Sequence, residues 1–193
     1  MGISERRARE REQRTAEILK AAWQVATANG WAAFSVERVA AAAELGRATV
    51  YGYFESLEVL VLEMARQAHK ELSDRLAASS GLRDALDVPV RFSQSNRAGF
   101  ALLFPPAPDP RPAFSTEALQ KLQADARRLL GHLRRQAERS GATLPEDSRS
   151  ATAFLTGIAI AGALVPELNE STTLRRRWQD FCLDSEKKTG SKQ

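Results

Sequence analysis

Apolar residues recur at steps of three and four along nearly the whole chain, and no segment shows the strict alternation or the β-branched richness of a strand. The pattern predicts an all-α protein. A first helix over Ser4 to Asn29 turns Ile18, Leu19, Ala22, Val25 and Ala26 inward and stops at Gly30. After a connection through Trp31–Phe34, Ser35 stands at an N-cap position with Glu37 in the first turn, opening a short helix whose inner side is Val39, Ala40 and Ala43. Glu44, Leu45 and Gly46 form a tight turn. Arg47 to Phe54 then make a second short helix with Val50 and Phe54 inward. Ser56 caps a long helix striped by Leu57, Leu60, Val61, Met64, Ala68, Leu72 and Leu76, and Ser79, Ser80 and Gly81 close it.

Further along, Pro89 is expected to cap or kink a helix that runs on to Phe104, and the proline-rich segment Pro105–Pro112 to form an extended surface loop. Ser115 begins a helix with Leu119, Leu122, Ala126, Leu129, Leu130, Leu133 and Ala137 on its apolar side and a stop at Gly141. Pro145, Glu146 and Asp147 suit a first turn, and the helix they start continues through an Ala/Gly-rich stretch toward Leu168. Ser171 opens a last helix with Leu174, Trp178, Phe181 and Cys182 as its apolar side, and residues 186–193 read as a frayed tail.

At 193 residues, with 43% hydrophobic and 27% charged positions, the chain is long enough and ordinary enough to fold around a real core. Its one cysteine, Cys182, excludes an internal disulfide framework, fits a reducing cytoplasm, and reads as a small buried apolar residue. No apolar run follows the N-terminal charges, so nothing reads as a secretory signal. The most apolar stretch, Ala151 to Val165, is broken by Thr152, Thr156 and two glycines and is shorter than the roughly 18 to 20 residues of a membrane span. A net charge of +4 permits nucleic-acid binding without selecting it. Arg6, Arg7, Arg9, Arg11 and Arg14 alternate with Glu5, Glu10 and Glu12, either as a solvated face laced with ion pairs or as an arm along phosphates. No phosphate-binding glycine loop, nucleophile elbow, HExxH or Cys/His cluster is present, and His69 and His132 flank apolar stripes as structural histidines do. Neither an enzyme, a metal site nor a cofactor is expected.

Two short helices joined by a tight turn, between one long helix and another, build a helix-turn-helix. The first braces the second, whose exposed end enters a major groove about 12 Å wide. A plain three-helix core would explain the apolar positions equally well. It would not explain an exposed set of Arg47, Thr49, Tyr51 and Tyr53 on so short a helix. Arg47 suits direct readout, because a guanidinium can bond guanine O6 and N7 together.

The stretch from Gly30-Trp31-Ala32-Ala33-Phe34-Ser35-Val36-Glu37-Arg38-Val39-Ala40 to Thr49-Val50-Tyr51-Gly52-Tyr53-Phe54 resembles the N-terminal domain of the tetracycline-repressor (TetR) family. The resemblance implies a DNA-binding domain over 1–55, a helical effector-binding and dimerisation domain over 56–185, and a tail over 186–193. It implies phosphate contact at Ser35, DNA contacts at Arg47, Ala48, Thr49, Tyr51 and Tyr53, and a homodimer on a near-palindromic double-stranded operator in the cytoplasm. The sequence departs from the family at Leu57, where a lysine is common, at Glu44 and Gly46 in the turn, and at Glu37, leaving Arg38 and the N-terminal arginines to compensate.

The smooth helix around Gly157, Ala159, Ala161, Gly162 and Ala163 suits close backbone approach. With the resemblance, this implies a dimer interface of Phe154, Leu155, Ile158, Ala159, Gly162, Trp178 and Phe181. A pocket for a small apolar or aromatic effector is expected from Phe92, Phe100, Leu103, Phe104, Phe114, His132 and Phe154, where the alternative is ordinary core. The leading expectation is a repressor released by its effector. The alternative is a structural, nucleoid-type DNA binder indifferent to small molecules.

Overall fold

The structure, a computed structural model, describes residues 2–105, 110–112, 114–139 and 148–189. Among these residues all regular structure is helical, as the periodicity predicts. The helices are α1 (Ile3–Asn29), α2 (Val36–Ala42), α3 (Arg47–Tyr53), α4 (Leu57–Ala77), α5 (Leu82–Ser95), α6 (Arg97–Leu103), α7 (Thr116–Arg139), α8 (Ser148–Leu164), α9 (Pro166–Glu170) and α10 (Thr172–Thr189), with a 3-10 turn at Trp31–Ala33. Pro106–Asp109, the expected stop at Gly141, the expected start at Pro145–Asp147, residues 190–193 and the side chains of Leu122, Ala126, Leu130, Phe154 and Leu155 lie outside the described residues.

The chain divides into two compact units. One comprises Met1–Gln67 and Ala101–Leu122, the other Ala68–Phe100 and Gln123–Gln193. The first is built on α1, which ends where Gly30 takes φ +72°, a left-handed value that costs a glycine nothing. The chain then turns at once. Trp31 is buried edge-on to Trp23, at 6.4 Å between ring centroids, and 5.1 Å from Phe34. Trp23 Nε1 donates to Gln67 Oε1 at 2.7 Å, so the middle of α4 is tied to α1. Ile18, Ala22, Val39, Val50, Leu60, Val61 and Met64 are essentially inaccessible and form the core of this unit.

The second unit is held chiefly by α5 against α8. The sequence expectation differs in five places, four of them in this unit and one on α7. Pro89 lies buried inside α5, and the helix breaks instead at Asn96, whose side-chain oxygen accepts from Gly99 N at 2.9 Å and so caps α6. Helix α8 stops at Leu164 and does not reach Leu168, because Pro166 holds the preceding Val165 extended (φ −81°, ψ 116°) and starts α9. On α7, Ala118 is buried and Leu119 is exposed. Cys182 is only half-buried, with burial pushing its thiol pKa up.

The departure on α10 is the largest. Among its described side chains the buried ones are Arg175 and Gln179, while Leu174 and Phe181 face outward. Arg175 Nε donates to Asp87 Oδ1 of α5 at 2.9 Å, its Nη1 to the Leu168 carbonyl at 2.9 Å, and Gln179 Nε2 to the same Asp87 oxygen at 3.1 Å. A carboxylate on α5 needs a buried cation opposite it, and that requirement overrides the hydrophobic periodicity of α10.

Candidate nucleic-acid interface

Ser35 caps α2, its Oγ accepting from Arg38 N at 3.4 Å. At the other end, Leu45 N donates to the Ala40 carbonyl at 2.9 Å and Glu44 N to that of Ala41 at 3.1 Å, which closes the helix in a Schellman-type turn. Such a turn needs a left-handed residue. Glu44 supplies it at φ 55°, where a glycine would sit without strain. Gly46 is extended at φ −75° and accepts from Thr49 N, starting α3.

Helix α3 has one inward residue, Val50, and Phe54 just beyond it is also buried. Arg47, Ala48, Thr49, Tyr51 and Gly52 are exposed, and Tyr53 is half-buried. All of these except Gly52 are residues that the sequence offered as DNA contacts, and the structure brings them together on one surface. Ser35 is half-buried beside them, and Arg38 is exposed on the bracing helix.

Two contacts were not foreseen. Arg47 Nη2 lies 3.2 Å from Glu37 Oε1, with both side chains more than half exposed. The Glu37 carboxyl is held below the usual range, first by its own backbone N–H and then by the Ser35 hydroxyl, with Arg47 contributing less. Arg11 of α1 donates to the Gly52 carbonyl at 3.4 Å, and its guanidinium lies 5.0 Å from the centre of the Tyr53 ring. The signal for this second contact was the spacing of Arg11 seven residues before Ile18 on α1.

Residues 18–64 match the model of the family described as bacterial regulatory proteins, tetR family. Over this segment the chain is similar to the tetR family. Its helix-turn-helix, α2 and α3, falls inside the matched segment. The fold of the chain as a whole is that of solved tetR-family regulators. One from Rhodococcus RHA1 aligns over 89% of this chain and 95% of its own, at 19% identity and a TM-score of 0.64. PfmR from Thermus thermophilus aligns over 86% and 93%, at 22% and 0.62. AibR, solved with isovaleryl coenzyme A and operator DNA, aligns over 78% and 85%, at 16% and 0.59. No curated protein sequence matches the chain.

The remaining site expectations fall elsewhere in this tetR-like fold. In the second unit, Phe92 and Phe100 are buried, with the Arg75 guanidinium 5.4 Å from the Phe92 ring centre. His132 is half-buried, its Nε2 3.4 Å from Ser73 Oγ, and burial first, then Arg135, lowers its pKa. In the first unit, Leu103, Phe104 and Phe114 are half-buried, and Arg111 lies 5.3 Å from the Phe114 ring centre. A shallow groove of about 650 Å³ along α1, lined by Leu19, Lys20, Trp23 and Gln67 among others, contains none of the expected effector residues.

Of the expected dimer residues, Ile158, Ala159 and Gly162 are buried within the second unit. A Cβ at Gly162 would stand 3.4 Å from Val90 Cγ2 and 3.5 Å from Arg175 Cδ, so the close approach that its smoothness permits is made by α5 and α10 of the same chain. Trp178 is half-buried and Phe181 is 72% exposed. With Leu164, Val165 and Leu174 also exposed, the apolar surface of this region lies on the ends and outer sides of α8 and α10. Among the described residues no helix is long and apolar enough to cross a membrane, and no group of three His, Cys, Asp or Glu side chains stands together as a metal site.

Proposed function

We propose that this chain is a homodimeric transcription repressor, with residues 1–55 reading a near-palindromic operator and residues 56–185 binding a small effector and pairing with a second copy. The observation that carries this reading is the surface of α3, where Arg47, Ala48, Thr49 and Tyr51 are exposed while Val50 and Phe54 anchor the helix. A seven-residue helix held by two apolar anchors has little reason to present arginine and tyrosine together unless something outside binds them. Arg47 is the base reader, exchanging its ion pair with Glu37 for guanine, and Ser35, Arg38, Thr49, Tyr51 and Tyr53 hold register on the backbone.

Each such helix reads only a few base pairs, so two copies about one helical turn or a multiple apart are needed for useful specificity. The exposed Phe181, Leu174 and Leu164 supply an apolar surface for that pairing. An effector is supported by AibR, a protein of this fold solved in complex with isovaleryl coenzyme A and operator DNA. Phe92, Phe100 and His132 are candidate lining residues, and an apolar or aromatic compound suits them.

In vitro selection from a random duplex library tests the DNA reading, with recovery of a two-half-site consensus as the expected result. Arg47→Ala should then cost about 1–3 kcal/mol on that duplex and relax preference at one position. Recovery of no consensus overturns the assignment. Light scattering should give twice the chain mass for the wild type and the chain mass for Phe181→Glu. An effector found by thermal shift should weaken duplex binding by the factor by which duplex weakens effector binding. A tight ligand with no effect on duplex affinity would favour the effector-independent DNA binder.

A further inference from the structure

Helix α1 carries on well past the core that it helps to build. Among the described side chains the first buried one is Ile18, yet the helix begins at Ile3, and residues 4–14 are all exposed. The extension from Ser4 to Arg14 is therefore a rod of roughly 16 Å, propagated from the packed half of the helix.

The arginines on this rod are placed. Arg7, Arg11 and Arg14 are followed by Ile18, Ala22 and Val25 at steps of four, three, four, four and three. At about 100° per residue, all six lie on one side of α1. The inward stripe of the helix thus changes from apolar to cationic where the core ends, without changing face. Residues on that side project over the adjoining edge of the domain, and Arg11 shows which edge it is. Its guanidinium reaches the exposed end of α3, at the Gly52 carbonyl and the Tyr53 ring.

We propose that Arg7, Arg11 and Arg14 form a second DNA-contact element, an arm that grips phosphates of duplex DNA beside the base pairs met by α3. This rests on the reading of α3 as the DNA-reading helix. Charge complementarity identifies the occupant: Arg7, Arg11 and Arg14 outnumber the one carboxylate that borders them on the rod, Glu10, and the stripe is continuous with the exposed surface of α3 through Arg11, where a duplex lying against α3 brings a closely spaced row of phosphates to its edge. The pairing of Arg14 with Glu17 at 2.7 Å does not hold the arm back. Both side chains are nearly half exposed, and phosphate competes well for a guanidinium in such a pair.

The test uses the full-length chain and the duplex that it selects from a random library. Binding is followed by fluorescence anisotropy from about 50 to 200 mM salt, where each phosphate contact contributes about 0.9 to the slope of log K against log salt. Arg7→Ala/Arg11→Ala/Arg14→Ala should flatten the slope by about 3 per chain, and Arg7→Ala alone by about 1 with its melting temperature unchanged. The corresponding triple Lys variant should keep the wild-type slope. Trimming the duplex flanks should weaken the wild type and leave the triple Ala variant where it was. Wild-type slope and affinity in the triple Ala variant overturn the arm while leaving α3 as the reader. So does a loss of affinity with unchanged slope that Lys fails to restore, which would assign Arg11 to positioning Tyr53. If the wild type selects no duplex at all, the reading of α3 fails first and the arm falls with it.

Discussion

Gly52 is the sixth residue of the seven-residue helix α3, and nothing inside the protein requires a glycine there. Its φ is not left-handed, and a Cβ built on it meets no atom within 4 Å. Alanine at this position would neither clash nor gain a packing partner, so the change isolates backbone conformational entropy. A glycine within a helix costs roughly 0.5–1 kcal/mol relative to alanine. Gly52→Ala should therefore stabilise the protein by about that amount and raise its melting temperature by about 1 to 4 °C for a chain of this size. Thermal unfolding followed by circular dichroism at fixed protein concentration measures it, and the Arg11 hydrogen bond is unaffected because its acceptor is the backbone carbonyl. A melting temperature equal to or below the wild type refutes the reasoning. The same variant titrated with the selected duplex shows why the glycine persists. Weaker binding by a more stable protein means that the phosphate backbone passes where the methyl group would be.

The remaining predictions concern the turn, the buried ion pair and acid stability. Glu44→Gly relieves the left-handed φ of 55° and should stabilise the protein by about 1 kcal/mol in a urea titration, and destabilisation would show that the turn relaxes around Glu44. Arg175→Ala strands Asp87 and should cost about 3–5 kcal/mol, while the double variant Asp87→Leu/Arg175→Met should recover most of that loss. Asp84 has its pKa lowered, chiefly by the Ser80 N–H and then by Arg91, so its contribution to stability is present at neutral pH and is lost as pH falls through the folded value below 3.8. Asp84→Asn should thus be less stable than the wild type at pH 7 and converge with it in acid, and a constant difference at every pH would refute the linkage.

The N-terminal domain is legible in the sequence because its determinants are local. Gly30, Ser35 and Ser56 cap or end helices by contacts three or four residues away, and the match of Val50 and Phe54 to the inner face follows from spacing alone. The same reasoning misjudges α10, since Arg175 and Asp87 are 88 positions apart and nothing near Arg175 announces its partner. The small-residue face of α8 is visible in the sequence but its neighbour is not, because smoothness records that a backbone comes close and not whose backbone it is. Helix α5 shows a related limit. Proline does not by itself fix where a helix breaks, and Asn96 decides the position by offering α6 a cap.

The inverted helix α10 has a consequence for how this chain presents itself. A helix packed through leucines can rotate a little about its axis at small cost, because hydrophobic contact is not directional. Arg175 accepts no such slack, since it must meet Asp87 and the Leu168 carbonyl at once, and Gln179 one turn later must meet Asp87 too. The interior thereby fixes the azimuth of α10, and with it the compass bearing of Leu174 and Phe181 on the outside. A core built this way gives up some stability relative to an apolar one and receives a surface with a single orientation in return.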